Sequence, residues 1–266
     1  MLTDKQMNQI REALLASERP LFFFHDDADG MCSFLQFYKQ VKKGKGVIVK
    51  STPKVDSRFI STAKNYGPDA IFILDLAMVE QEFVDSVNCK IYWLDHHDRA
   101  DIGDDAIKGT KYYNPKQNKD GDNTCISKLS YDIFGEYLWI AATGTISDWQ
   151  LQEDLRKKII KKYPEYFDKK IKKADDALFE SKFGELAKRI NFMLKGNIKE
   201  VQQVIKIMTR IEDPEELLNG TSKQGEYLIK RYNKLNKEYE KQLKQAISKA
   251  DDSKLLIYTY EDNNSS

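Results

Sequence analysis

Three short runs that are apolar at every position, Leu21-Phe22-Phe23-Phe24, Ile71-Phe72-Ile73-Leu74 and Ile91-Tyr92-Trp93-Leu94, each lead directly into acid or imidazole. A strand with one wet face alternates apolar and polar residues. A strand without alternation has to be covered on both faces, which points to a parallel sheet between layers of helices. The segments between the runs fit that arrangement. Residues 3–18, 30–42, 57–66 and 79–87 have helical spacing, and 21–25, 46–50, 70–75 and 90–95 have the length and composition of strands, so the first half of the chain alternates β and α. The predicted class is therefore α/β, with a parallel sheet flanked by helices. Ligands of such sheets sit beyond the carboxyl ends of the strands, where His25, Asp75, Asp95, His96 and His97 all fall.

All three histidines of the chain belong to two acid-rich segments, FFFHDDADGM and YWLDHHDRA. If the first strand continues past His25, then His25, Asp27 and Asp29 point to one side, because side chains alternate along a strand. Oxygen and imidazole donors without thiolate suit Mn²⁺, Mg²⁺ or Fe²⁺ better than a structural zinc. Cys32, Cys89 and Cys125 lie far apart and form no C-x-x-C pair, so neither a disulfide framework nor a zinc knuckle is indicated, and a reducing, intracellular setting is expected. The amino terminus is charged, with no apolar signal-like core, and no stretch approaches the roughly 18 apolar residues of a membrane span. A soluble cytoplasmic protein without a membrane partner is expected.

The rest of the chain is more helical and more basic. Lys and Arg number 43 and Asp and Glu 42. Residues 1–150 hold 18 bases and 22 acids, and residues 151–266 hold 25 and 20. Residues 101–122 read as a polar loop with a short strand at 110–113 and a stop at Asn114-Pro115. A helix capped by Asn123 or Thr124 runs to about Phe134, and YLWIAATGTIS forms a buried helix ending near Asp148. A carboxylate among apolar neighbours needs a metal, a cation or hydrogen-bond donors. Residues 151–250 read as helices broken near Pro164, Gly196, Pro214 and Gly220, and Lys254–Tyr260 as a final strand. The expected organisation is a domain at 1–150, a helical extension at 151–253 and the start of a further domain at 254–266. The Lys-rich faces are read as solvated, and Trp93, Tyr112, Tyr113 and Trp149 as core or site-wall aromatics rather than base-stacking platforms.

Each signal has a plain alternative when taken alone. Asp75 could cap a helix, Asp148 could pair with a buried cation, His96-His97 could be a surface pair, and Asp27-Ala28-Asp29-Gly30 resembles a turn or an incomplete calcium loop. Their order on a βαβ pattern is what carries the functional reading. His25-Asp26-Asp27-Ala28-Asp29-Gly30, the isolated Asp75, Asp95-His96-His97 and Gly144-Thr145-Ile146-Ser147-Asp148 resemble, in order and spacing, the four motifs of the DHH phosphoesterase superfamily. Through HDDADG, Asn114-Pro115 and GTISDW the chain most resembles the RecJ-like branch of archaeal-type single-strand exonucleases. The resemblance covers residues 20–150 and, more loosely, the helical segment after them.

That resemblance implies a DHH-type sheet and two divalent ions, usually Mn²⁺, with Mg²⁺ as the alternative. It places His25 and Asp27 on one ion, Asp29, His96 and Asp148 on the other, and Asp75 between them. His97 would lie beside the phosphate, and Asp95 would orient an imidazole, giving the pair assigned to catalysis. Two such ions can acidify a water and neutralise charge on the phosphoryl oxygens, so no nucleophilic side chain is needed. The expected function is a metal-dependent phosphodiesterase or exonuclease acting on single-stranded DNA, RNA or short oligonucleotides. The alternatives are a non-catalytic replication or repair scaffold of the same fold, or a hydrolase of a small phosphate compound such as a cyclic dinucleotide, a nucleotide bisphosphate or pyrophosphate. Family members carry a glycine-rich substrate-binding domain after the helices, of which LLIYTYEDNNSS resembles only the start. Either the chain is a fragment, or a separate polypeptide supplies that domain, or the substrate clamp is lost, and such a polypeptide or replication proteins are the expected partners besides the nucleic-acid substrate.

Overall fold

The computed structural model describes residues 1–50, 53–98, 108–250 and 257–259. The chain divides into two compact units, Met1–Lys188 and Arg189–Ser266. The first opens with α1 (Asp4–Ala16), whose Thr3 and Gln6 form a reciprocal cap. After it come β1 (Pro20–His25), α2 (Ala28–Val41), β2 (Lys45–Val49), the two-residue β3 (Lys54–Val55), a 3₁₀ turn at Ser57–Phe59 and α3 (Ile60–Tyr66). The chain continues through β4 (Ala70–Leu74), β5 (Met78–Val79), α4 (Gln81–Ser86), β6 (Lys90–Leu94) and β7 (Thr110–Tyr113). Beyond a 3₁₀ turn at Pro115–Gln117, helices α5 (Ile126–Phe134), α6 (Leu138–Ser147), α7 (Glu153–Lys162), α8 (Ala174–Glu180) and α9 (Lys182–Met193) complete it, α9 running across the division.

The main sheet has five strands in the order β2-β1-β4-β6-β7, and every pairing in it is parallel. Its three central strands, β1, β4 and β6, are apolar on both faces, as the unalternating runs require. On one face the register sets Phe22 beside Phe72 and Phe72 beside Tyr92. Their rings stack, with centroids 5.6 and 5.2 Å apart. On the other, Phe23, Ile73 and Trp93 sink into a cluster with Phe83 and Leu76. The Trp93 indole donates to the Leu76 carbonyl at 2.7 Å, so even its polar atom is satisfied.

The same register lines up the polar end of the sheet. Phe24, Leu74, Leu94 and Tyr113 are aligned as neighbours across four strands. The next residues in the chain are His25, Asp75, Asp95 and Asn114, so one row beyond the last apolar row the sheet edge is entirely polar. Asp75 and Asp95 stay tied to that edge, donating their backbone N–H groups to Leu94 and Tyr113.

Two glycines permit the close contacts behind this edge. A Cβ on Gly30 would lie 2.6–2.9 Å from the His25 backbone, so the first turn of α2 can press on the end of β1 only without a side chain there. A Cβ on Gly144 would collide with Ser127 and Cys32, which is where α6 packs against α5 and α2.

The second unit contains α10 (Ile198–Met208), α11 (Pro214–Asn219) and the 26-residue α12 (Lys223–Ser248). Arg231 of α12 donates to the carbonyls of Met193 and Lys195 and pairs with Glu200. The strand expected at Lys254–Tyr260 falls largely outside the described residues, and 257–259 have no regular structure.

Candidate metal centre

The first motif is not an extended strand. β1 ends at His25, and Asp27 is the N-cap of α2, accepting from the Gly30 N–H at 2.9 Å. Asp29 and Gly30 therefore lie in the first helical turn, and the expected alternation of His25, Asp27 and Asp29 along one strand face is corrected. The reason is local: Asp followed two and three residues later by Asp and Gly favours a cap over continued pleating.

His25 and Asp27 nevertheless meet. The Nδ1 atom of His25 lies 2.6 Å from Asp27 Oδ2 and 3.5 Å from Asp75 Oδ2. On the other side of Asp75, its Oδ1 lies 3.2 Å from His96 Nε2. Asp75 is 2 % exposed and has φ of 59°, a left-handed backbone that turns its carboxylate inward from the end of β4. Donor atoms of His25, Asp27 and Asp75 form one group within 4.8 Å of one another, those of Asp75, His96 and His97 form a second, and Asp75 is common to both.

The imidazoles are oriented by their second nitrogens. His96 Nδ1 lies 3.0 Å from the carbonyl of Asn123 and so donates there, which leaves Nε2 facing Asp75. His97 Nδ1 lies 2.6 Å from Asp95 Oδ1. Asp95 is fully buried and also accepts from the Tyr112 hydroxyl, while Asn114 donates to that hydroxyl and to the His97 carbonyl. Asp95 thus faces the His97 imidazole of the second group and is not itself among the donors of either group.

Asp29 and Asp148 stand apart from those groups. Both carboxylate oxygens of Asp29 accept backbone N–H groups at the start of α5, from Ile126 at 3.0 Å and Ser127 at 2.9 Å. The cap expected from Asn123 or Thr124 is therefore supplied by a residue nearly a hundred positions earlier, and Cys125 at the N-cap position has no side-chain cap bond. Asp148 ends α6; its Oδ2 accepts from Gln150 at 2.7 Å and lies 3.9 Å from His96 Nδ1. Gln150 also donates to Asn123 and accepts from the Cys125 N–H, so it links the Asp148 turn to the segment that holds His96. Sequence reasoning passed over Gln150, and read Asn123 only as a helix cap and Asn114 only as a loop stop and part of a motif. Only the polar residue directly after the Asp148-Trp149 pair could have signalled the first.

So many acids at one place perturb one another. Burial, with the charges of Asp75 and Asp148, holds the Asp29 carboxyl well above its ordinary value. Burial likewise pushes Asp148 up to about 6 against the opposing influence of His96. Burial alone would depress the histidines. The carboxylates of Asp27 and Asp75 outweigh it at His25, raising it to about 11, and Asp75 with Asp29 outweighs it at His96, raising it to about 10. Without other cations the cluster holds itself together with protons.

The donors fit a hard divalent ion. They are carboxylate oxygens and imidazole nitrogens, and the neighbouring thiols are unsuited to join them. Burial and the charge of Asp29 raise Cys32 and Cys125 well above the ordinary thiol value, so both stay protonated.

No protein-family model matches the chain, and no curated protein does. Solved structures do. RecJ from Thermus thermophilus in complex with Mn²⁺ is similar over 93% of this chain and 40% of its own, with 14% identity and a TM-score of 0.63. Exonuclease RecJ bound to manganese is similar over 93% of this chain and 69% of its own, at 16% identity and a TM-score of 0.62. The DHH domain of a member of the s1p family of ribosomal proteins is similar over 92% and 62%, at 16% identity and 0.58. The chain thus spans 40% of the length of the Thermus RecJ structure. Among the described residues no helix is long and apolar enough to cross a membrane. At this level of identity it is the fold that is shared with these RecJ and DHH-domain structures: a parallel five-stranded sheet flanked by helices, with a helical region after it.

Proposed function

We propose that the chain is a divalent-metal-dependent phosphodiesterase that cleaves single-stranded DNA, RNA or short oligonucleotides. The observation that carries this reading is the pair of three-donor groups sharing Asp75 at the carboxyl edge of a sheet whose structural neighbours include RecJ bound to manganese. His25 and Asp27 would hold one ion, His96 a second, and Asp75 both. His97 is placed to join the second group, and Asp29 and Asp148 supply negative charge beside it. Two ions held there would neutralise charge on the phosphoryl oxygens and acidify a water for in-line attack.

The remaining contributions come from the chain itself. Asp95 accepts from His97 Nδ1 and fixes its ring, so that Nε2 is free to meet an ion or a phosphoryl oxygen. Asn123 does the same for His96 through its carbonyl. Gln150 holds Asp148 through Oδ2 and keeps that carboxylate at the edge of the cluster. Asp148 is ionised at neutral pH, since its value lies near 6, and the cluster can then exchange its protons for metal.

The test is hydrolysis of a labelled single-stranded oligonucleotide and of a small chromogenic phosphodiester with and without Mn²⁺, in wild type and Asp75→Asn. Metal-dependent cleavage lost in the variant is expected. Absence of cleavage of either substrate in the wild type, together with no Mn²⁺ binding by calorimetry, removes the reading.

A further inference from the structure

Of the three tryptophans, Trp93 and Trp139 are buried, while Trp149 is 59% exposed and directly follows Asp148. Of the two readings of Trp149, core or site-wall aromatic, that exposure rules out the core. Its backbone φ is 55°, a left-handed conformation that large side chains rarely adopt. The turn around it is nonetheless closely held. Asp148, Trp149 and Gln150 donate their N–H groups to the carbonyls of Gly144, Ile146 and Thr145, and the Gln150 side chain is tied to Asp148 and Asn123. The indole is therefore aimed outward by a fixed backbone.

The ring does not stand alone. Phe179 of α8, 75% exposed, meets it edge to face, with centroids 5.7 Å apart and planes at 71°. Edge-to-face contact leaves an aromatic face open to a further ring. Two exposed aromatics on one surface gain nothing from burial, and strain at a bulky residue persists where the surroundings impose it, commonly beside functional sites. Continuity in the chain ties this one to the acidic cluster, because the residue before Trp149 is the carboxylate that lies 3.9 Å from His96.

We propose that Trp149 and Phe179 form a base-stacking subsite, which takes the planar base of the nucleotide whose phosphate lies at the acidic cluster. The assignment of a nucleotide as occupant rests on the phosphodiesterase reading. A stacked base is recognised by its π-face, which all four bases present, so the subsite selects nucleotides over other phosphate esters without selecting a sequence.

Because Trp149 is the exposed tryptophan, intrinsic fluorescence reports on it directly. The probes are thymidine 5′-monophosphate and 2-deoxyribose 5-phosphate, which share a phosphate and a sugar and differ by the base. In the presence of Mn²⁺ the nucleotide is expected to quench wild-type emission and to bind about tenfold or more tightly than the sugar phosphate, in keeping with base–aromatic stacking elsewhere. Trp149→Asn, which tolerates a left-handed backbone, should bring that ratio close to one when binding is read by calorimetry, and Phe179→Leu should lower it less. Trp149→Phe keeps a ring and should restore most of the ratio, and it carries the test if the Asn variant melts at a lower temperature than wild type. A wild-type ratio near one, or an undiminished ratio in Trp149→Asn, overturns the subsite. Hydrolysis of oligonucleotides is measured in parallel. Cleavage without base discrimination sinks the subsite and spares the phosphodiesterase reading, whereas base discrimination without cleavage does the reverse.

Discussion

The interior of the main sheet and its carboxyl edge are one residue apart along each strand, and they obey opposite rules. In the interior, Phe22, Phe72 and Tyr92 are buried, stacked and free of charge, and the backbone is regular. At the edge, His25, Asp75 and Asp95 are half or fully buried titratable groups, and Asp75 takes a left-handed φ. Apolar packing favours the fold wherever it occurs. Buried like charges oppose it unless something compensates. The lesson is a division of labour: the rigid aromatic rows set the spacing between strands, and the unfavourable residues borrow that spacing to face one another.

The largest effect that can sharpen this contrast comes from the interior. Phe72→Ala removes the middle ring of the stacked row and should cost about 3–5 kcal/mol of stability, measured by denaturant unfolding with and without Mn²⁺. A cost under about 1 kcal/mol would mean that the row does not set the spacing. Next comes the edge. Mn²⁺ at a hundred times its dissociation constant should stabilise the wild type by about 2.7 kcal/mol. Asp75→Asn should lose that increment and should destabilise the metal-free protein by less than Phe72→Ala does, because Asn accepts a left-handed φ but no longer supports the protonated His25 and His96. If the metal-free variant instead unfolds as readily as Phe72→Ala, the edge is a structural element and the contrast is broken.

A smaller effect is expected at Asp95, which touches an imidazole rather than the shared donors. Asp95→Asn should weaken Mn²⁺ affinity or activity by about 10–100-fold, as loss of a partner to a metal-binding histidine does elsewhere. Calorimetry with an unchanged dissociation constant would show that His97 needs no orienting acid.

The smallest change per step is that with pH, at most about 1.4 kcal/mol per unit for each proton. Asp29 and Asp148 are raised, Asp148 to about 6, and His96 and His25 to about 10 and 11. A group raised on folding contributes stability in full below its unfolded value, and that contribution is lost as pH rises through its folded value. The metal-free protein should therefore lose stability from about pH 4 to 6 through Asp148 and again from about pH 6.5 to 11 through the histidines. Mn²⁺ binding, which displaces those protons, should strengthen as pH rises over the same windows. Thermal melts at several pH values should show the decline above about pH 6.5 flattened by metal, and parallel slopes with and without it would separate the titrating groups from the metal donors.

Much of this architecture was legible in the sequence, because runs such as IFIL and IYWL have few ways to be buried and a parallel register follows from them. The edge residues His25, Asp75 and His96 were legible for the same reason, being the first polar positions after each run. What escaped was set by hydrogen bonds over long distances or by backbone conformation. Asp29 looks like a neighbour of His25 in the sequence, but its oxygens belong to the start of α5. Trp149, at the end of an apolar segment, could pass for a core aromatic, but it has a left-handed φ and is exposed. Neither a cap contributed from 97 residues away nor the sign of φ has a signature in hydrophobic periodicity.

That distant cap has a kinetic consequence. The Asp29 carboxylate can find the Ile126 and Ser127 amides only after the chain between them has been made and threaded through β2, β4, β6 and β7. Closing so long a loop costs entropy before any contact repays it, and contacts of high sequence separation slow folding. During synthesis the first motif leaves the ribosome long before its partners, so the acidic edge is completed among the last features of this unit, once Asn123 and Gln150, which orient His96 and hold Asp148, have emerged.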